Sequence, residues 1–133
     1  MNKVLWLTSW YPNKTDLFTG DFIQRHAQAT SLFDEVIVLH VVKTKEPFFS
    51  GKIHEEIHRS HNLTEHILYY TCSTVIEPLN RIISTLKYNR YLKGLAKKYI
   101  TNHQDIRIMH LHVALKAGLT ALWVKRKFGF PAR

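Results

Sequence analysis

Two histidines stand two residues apart, His110 and His112, at the end of the apolar run 105–113. On a strand, residues i and i+2 share a face, so both imidazoles can reach one place. An imidazole there can act as general base, hydrogen-bond donor or metal ligand. A zinc site needs further ligands, and none lies nearby in sequence, so no metal is expected. His110 reads as a packed strand histidine, and His112 is the candidate catalytic residue. The second candidate is Gly20-Asp21, which closes a loop (10–19) and opens a helix. A glycine at a helix N-terminus lets backbone approach a ligand, and the free N–H groups there favour anions. A full dinucleotide fingerprint needs three glycines. Only Gly20 is present here, so a glycine required by the turn alone remains an alternative.

Other chemistry is thinner. Glu55 and Glu56 are adjacent and make no sensible acid–base pair. No nucleophile elbow, phosphate loop or Cys–His pair occurs. The single cysteine, Cys72, excludes an intrachain disulfide framework and reads as a buried thiol. His54, His58, His61, His66 and His103 lie in polar stretches and read as solvated.

The elements that must position these groups follow from pattern. Residues 3–9 and 35–42 are unalternating apolar runs, as expected of strands buried on both faces. Residues 64–72 and 105–113 supply a third and a fourth strand. The charged, His-rich stretch 43–62 reads as an irregular excursion. Phe22, His26, Ala29 or Thr30 and Phe33 recur at helical spacing after Gly20. Over 77–102 there are two apolar sets: Leu79, Ile82, Ile83 and Leu86, then Tyr88, Leu92, Leu95, Ala96 and Tyr99. They point in nearly opposite directions, so a break or a change of partner is expected near 87–89. Pro78 suits the first turn. Residues 115–128 form a last helix with Lys125, Arg126 and Lys127 at its end, stopped by Gly129 and Pro131. Strands alternating with helices predict an α/β fold, a Rossmann-like parallel sheet with helices on both faces. The first strand should lie between the second and fourth, so that the Gly20 loop and His112 converge at the carboxyl edge of the sheet.

With 133 residues, 45% of them hydrophobic, the chain fits one domain of ordinary globular composition. No apolar run nears the roughly 18 residues of a membrane span, and the first residues lack a leader's cleavage pattern. A cytoplasmic location is expected. The net charge is +9, and the excess lies entirely beyond residue 50. Arg81, Lys87, Arg90, Lys93, Lys97 and Lys98 occur with no acid between 78 and 104. A solvated helix face explains them; contact of Arg81, Lys87, Arg90, Lys93 and Lys97 with anionic lipid is the alternative, given the apolar set beside them. No nucleic-acid recognition motif accompanies them.

KVLWLTSWYPNKTDLFTGDFIQRHA, EVIVLHVVK and IRIMHLHVALKAGLTALWVKRKFGFP together resemble the N-terminal half of bacterial family 4 glycosyltransferases. Pro12, Gly20 and Phe22 with the His-x-His strand end carry the likeness, which is weakest over 45–85. The resemblance implies a GT-B architecture of two Rossmann-like domains facing across a cleft. It implies retaining transfer of a sugar from a nucleotide-sugar donor to a glycan or lipid-linked acceptor, with polysaccharide biosynthesis as one outcome and no cofactor or catalytic metal. Residues 1–133 would be the acceptor-side domain, incomplete, without its nucleotide-sugar-binding partner domain, and inactive alone. The loop at Gly20 and Asp21 would approach the donor diphosphate, and His112 would sit by the reacting centre. A peripheral place on the inner face of the cell membrane fits the charge. A freestanding Rossmann-like binding module without catalysis is the alternative reading.

Overall fold

The computed structural model describes residues 2–44, 49–71, 79–112 and 114–130, and at 114 and 115 the backbone only. The order is β1 (Lys3–Thr8), α1 (Asp21–Thr30), β2 (Glu35–Lys43), β3 (Ile53–Ser60), β4 (Leu63–Tyr70), α2 (Leu79–Asn102), β5 (Ile106–His112) and α3 (Ala114–Phe128). These build a Rossmann-like α/β domain around one five-stranded sheet, ordered β3-β4-β2-β1-β5. β1 is central, paired in parallel with β2 and β5. Its unalternating sequence is explained by cover on both faces. Leu5 and Leu7 pack toward α2 and α3, while Val4 and Trp6 pack toward α1.

The sheet is mixed rather than wholly parallel. β3 lies inside the stretch expected to be irregular and pairs antiparallel with β4. Most of its side chains are exposed, so the strand carries no core-facing alternation for a sequence pattern to report. The hairpin turns at His61, whose φ is +47°.

Two helix expectations change. α1 buries Ile23 and Ala27. Phe22 and Phe33 stay largely exposed, so the true stripe is one residue out of phase with the expected one. α2 is one helix with no break at 87–89. Only its later set meets the sheet. Leu92, Ala96 and Tyr99 are buried, whereas Leu79, Ile82 and Leu86 are exposed. The partner changes from solvent to sheet while the backbone continues, because nothing at Lys87-Tyr88-Asn89 interrupts the hydrogen-bond ladder. Cys72, Pro78 and Pro131 lie outside the described residues, as do the expectations attached to them.

Candidate functional site

Between β1 and β5 the chain order reverses, and in open α/β sheets that is where ligands sit, beyond the strands' carboxyl ends. A cleft of about 660 Å³ lies at this carboxyl edge. Its walls are the loop after β1, the ends of β2 and β4, the first half of α2 and the start of α3.

Each wall is held by identifiable bonds. The loop ties itself together: Asn13 and Asp16 exchange backbone hydrogen bonds, and the Asp16 carboxylate accepts from the N–H groups of Phe18 and Thr19 at 3.0 Å. Those bonds, with the Thr19 hydroxyl first among them, keep Asp16 below its usual pKa. The loop is also pinned to the sheet. The buried Tyr11 donates its hydroxyl to Glu65, and Lys14 N donates to Tyr69 Oη at 3.0 Å. Glu65 also accepts from Gln24 of α1 at 2.9 Å, so loop, helix and β4 share one carboxylate. At the floor, Ser9 Oγ accepts from the backbone N–H groups of Lys116 (3.1 Å) and Ala117 (3.0 Å). A side chain from the end of β1 thereby satisfies donors at the start of α3 that the helix itself cannot.

Gly20 has a structural reason of its own. Its φ is +78°, and a Cβ there would stand 2.6 Å from the Trp10 carbonyl carbon and the Tyr11 nitrogen. It lets α1 begin directly against the loop. Neither Gly20 nor Asp21 lines the cleft. Asp21 pairs with Arg25 at 3.3 Å on the exposed side of α1.

His112 lies in register with Thr8 of β1, and Thr8 in turn with His40 of β2. The row His40–Thr8–His112 therefore crosses the carboxyl edge of the sheet over roughly 10 Å of Cα spacing. His112 stacks on His110 (4.0 Å between centroids, 6° between planes) and lies 4.0 Å from Trp6. His26 from α1 closes the group at 5.6 Å. Thus α1 reaches His112 through His26 and not through Gly20. Among the described residues, nothing hydrogen-bonds the sealed His112 Nε2. Burial, then the imidazoles of His110 and His26, push its pKa down to about 4, so the ring is neutral at pH 7. Parallel stacked rings do not converge on one ion, and among the described residues no cluster of three metal-ligating side chains occurs.

The residues that line the cleft were mostly missed by sequence reasoning. Ser9, His40, Tyr88, Asn89 and Lys116 carry its polar floor and rim. His40 had the same signal as His112: a histidine near the carboxyl end of a buried apolar run. His66, expected to be solvated, is 1% exposed and bridges Tyr99 Oη and Glu55, each at 2.8 Å. It is a core hydrogen-bond link away from the cleft.

The basic set does not form a cation patch of one kind. Lys87 reaches the Thr71 carbonyl at 3.4 Å, Arg90 lies over Tyr91, and Lys93 lies 5.5 Å from the Trp123 ring centre. Arg81 and Lys97 are exposed. At 100° per residue, Lys93 and Lys97 continue the same outer face of α2 that Leu79, Ile82 and Leu86 begin. Among the described residues, no helix is long and apolar enough to cross a membrane. In comparisons with known proteins, no family model, no curated protein and no solved structure matches this chain.

Proposed function

We propose that the chain is the acceptor-side domain of a retaining glycosyltransferase of GT-B type, working with a second domain that holds the nucleotide-sugar donor. The observation that carries the reading is the chemistry of the cleft. Its lining combines neutral hydroxyl and amide groups (Ser9, Asn13, Thr15, Thr85) with aromatic rings (Trp10, Tyr70). Hydroxyls and amides both give and accept hydrogen bonds, as a polyol requires, and an aromatic face covers the apolar C–H side of a pyranose. The volume suits one or two such rings and falls within the range of small-molecule sites. The resemblance of the loop, the strand end and the following helix to family 4 glycosyltransferases supports the same reading. His112 is the proposed group beside the reacting centre, and Gly20 and Asp21 the proposed donor-side loop; none of the three lines the cleft, so these roles rest on the resemblance alone. No metal or cofactor is called for.

The outer face of α2 adds a proposed partner, an anionic membrane surface. Its exposed leucines and isoleucine would enter the headgroup region beside Arg90, Lys93 and Lys97. A lipid-linked acceptor would then be presented close to the cleft, whose wall the same half of α2 forms.

The test is transfer by the natural protein that carries this chain. It is incubated with radiolabelled UDP-glucose, UDP-galactose, UDP-N-acetylglucosamine or GDP-mannose and with membranes of its own source. Label entering a lipid-extractable or polymeric product is expected from at least one donor. No transfer from any of the four, with the protein folded, overturns the reading.

A further inference from the structure

His40 lines the cleft with one ring nitrogen committed and the other uncommitted. Its Nδ1 lies 3.1 Å from the Thr8 backbone carbonyl oxygen. A carbonyl only accepts, so this bond requires the proton on Nδ1. The Thr8 hydroxyl, 3.2 Å from the same nitrogen, gives its own proton to the Leu39 carbonyl at 3.1 Å. It therefore meets Nδ1 as a second acceptor and reinforces the same tautomer. The remaining nitrogen, Nε2, is left as a bare lone pair. No group among the described residues hydrogen-bonds it. Nor is it among the sealed, unpartnered polar atoms of the described residues, which are Tyr88 Oη and His112 Nε2. The residue as a whole is only 4% exposed, yet it lines the cleft. A buried acceptor left without a donor costs stability, so an unsatisfied acceptor on a cleft-lining residue is best met by a donor on what enters the cleft.

We infer that His40 is a substrate-binding residue whose Nε2 accepts a hydrogen bond from a hydroxyl of the ligand in the cleft. The inference rests on reading the cleft as a sugar site and names the contact that orients the sugar there. Burial, with Lys116 nearby, lowers the pKa of His40 to about 4. An imidazole so weakly basic holds almost no proton at pH 7. Its role is to orient a hydroxyl as a fixed acceptor, and it does not store the proton. The tautomer is set by Thr8, so the geometry exists before the ligand arrives and no ordering cost falls on binding. A ligand offering only acceptors at that position would meet two lone pairs face to face and be rejected.

The experiment is long-range proton–nitrogen NMR on the chain labelled with ¹⁵N in histidine. Free, His40 is expected as the Nδ1–H tautomer with an unprotonated Nε2 throughout neutral pH. Methyl α-glucopyranoside, methyl α-mannopyranoside and methyl β-galactopyranoside are then titrated in turn. At least one is expected to move the His40 Nε2 resonance while leaving His58 and His61, far out on β3 and its turn, in place. His40→Leu, which removes the acceptor, is expected to weaken that sugar's binding about tenfold or more, the loss of one buried hydrogen bond. His40→Gln, which carries an acceptor at similar reach, is expected to keep most of it. An Nε2–H tautomer in the wild type overturns the inference without any variant. So does sugar binding that leaves His40 unmoved, or no effect on His40 from any of the three sugars. Sugar binding through His40 in a protein that transfers nothing would leave the inference standing and remove the transferase reading. Transfer unaffected by His40→Leu would do the reverse.

Discussion

His40 and His112 flank the same threonine on the same edge of the sheet, and both are held near pKa 4. They reach that state by different routes. His40 is fixed by a backbone carbonyl that dictates its tautomer, and the residue lines the cleft. His112 is fixed by rings, Trp6 and His110 at 4.0 Å, and its Nε2 has no partner among the described residues. A hydrogen bond to backbone commits a proton to one atom; an aromatic stack commits only the plane of the ring. The residue ready to bind is therefore recognised by where its protons must be, and a conspicuous spacing in sequence does not reveal that.

Perturbing the surroundings of each histidine separates the two environments. The largest effect on stability is expected from Gly20→Ala. A left-handed φ combined with a Cβ 2.6 Å from main-chain atoms of Trp10 and Tyr11 leaves no small adjustment. A loss of about 3 kcal/mol or more is expected in urea denaturation. Because the loop is a wall of the His40 cleft and not of the His112 stack, the NMR signal of His40 should shift more than that of His112. The opposite order would show that the loop is coupled to the stack.

Acid comes next. Burial lowers the pKa of His40 and His112 from 6.5 to about 4, and burial also lowers that of His66. Each binds protons more weakly folded than unfolded, so unfolding takes up protons as the medium acidifies. The contribution of His40 and His112 is whole above pH 6.5 and is lost as pH falls from 6.5 to 4, and that of His66 is lost below 6.5 in the same direction. His40, nearly fully buried, contributes on the order of 3 kcal/mol. His40→Gln should flatten the fall in denaturant midpoint over that window, and His112→Gln should flatten it less. Equal flattening would mean that the two environments are energetically alike after all.

Ser9→Ala should cost about 1 kcal/mol, as for a lost helix cap, since two amides of α3 lose one acceptor. A thermal melt reads it, and His40 rather than His112 should feel the change. Smallest of all is the effect of Ile82→Glu with Leu86→Glu on stability, within about 0.5 kcal/mol because both side chains are exposed. The same pair should abolish flotation with anionic vesicles, and wild-type flotation should weaken with salt. Equal binding of wild type to neutral vesicles would remove the membrane from the account.

Where the sequence was legible, burial on two sides had written it. β1 and β2 read as unbroken apolar runs because each is an interior strand that needs cover on both faces, and that pattern is what placed β1 between two neighbours. β3 was invisible for the converse reason: an edge strand exposed on most positions leaves no pattern. The phase of α1 was misread because its contact is small, resting on Ile23 and Ala27, while the larger Phe22 and Phe33 face outward. Of the site, the general location at the strand ends was legible from topology. The cleft's own lining was not, because Ser9, His40, Tyr88 and Lys116 come from four elements and meet only through packing. His40 was within reach of the rule that picked out His112, but a single histidine in an apolar run attracts less attention than two in step.

The most direct test of the central claim is the rate of sugar transfer by the natural protein carrying this chain, measured for wild type, His112→Ala and His110→Ala, each beside its thermal melt. If the chain is the acceptor-side domain of a glycosyltransferase with His112 at the reacting centre, wild type transfers sugar from at least one nucleotide donor. His112→Ala then lowers that rate roughly 10²–10⁴-fold with its melt little changed, the range for a positioned acid–base group, and His110→Ala lowers it less. Absence of transfer in the wild type would contradict the claim of a transferase. Full transfer by His112→Ala, or activity lost only as the protein unfolds, would leave His112 a packing residue of the stack.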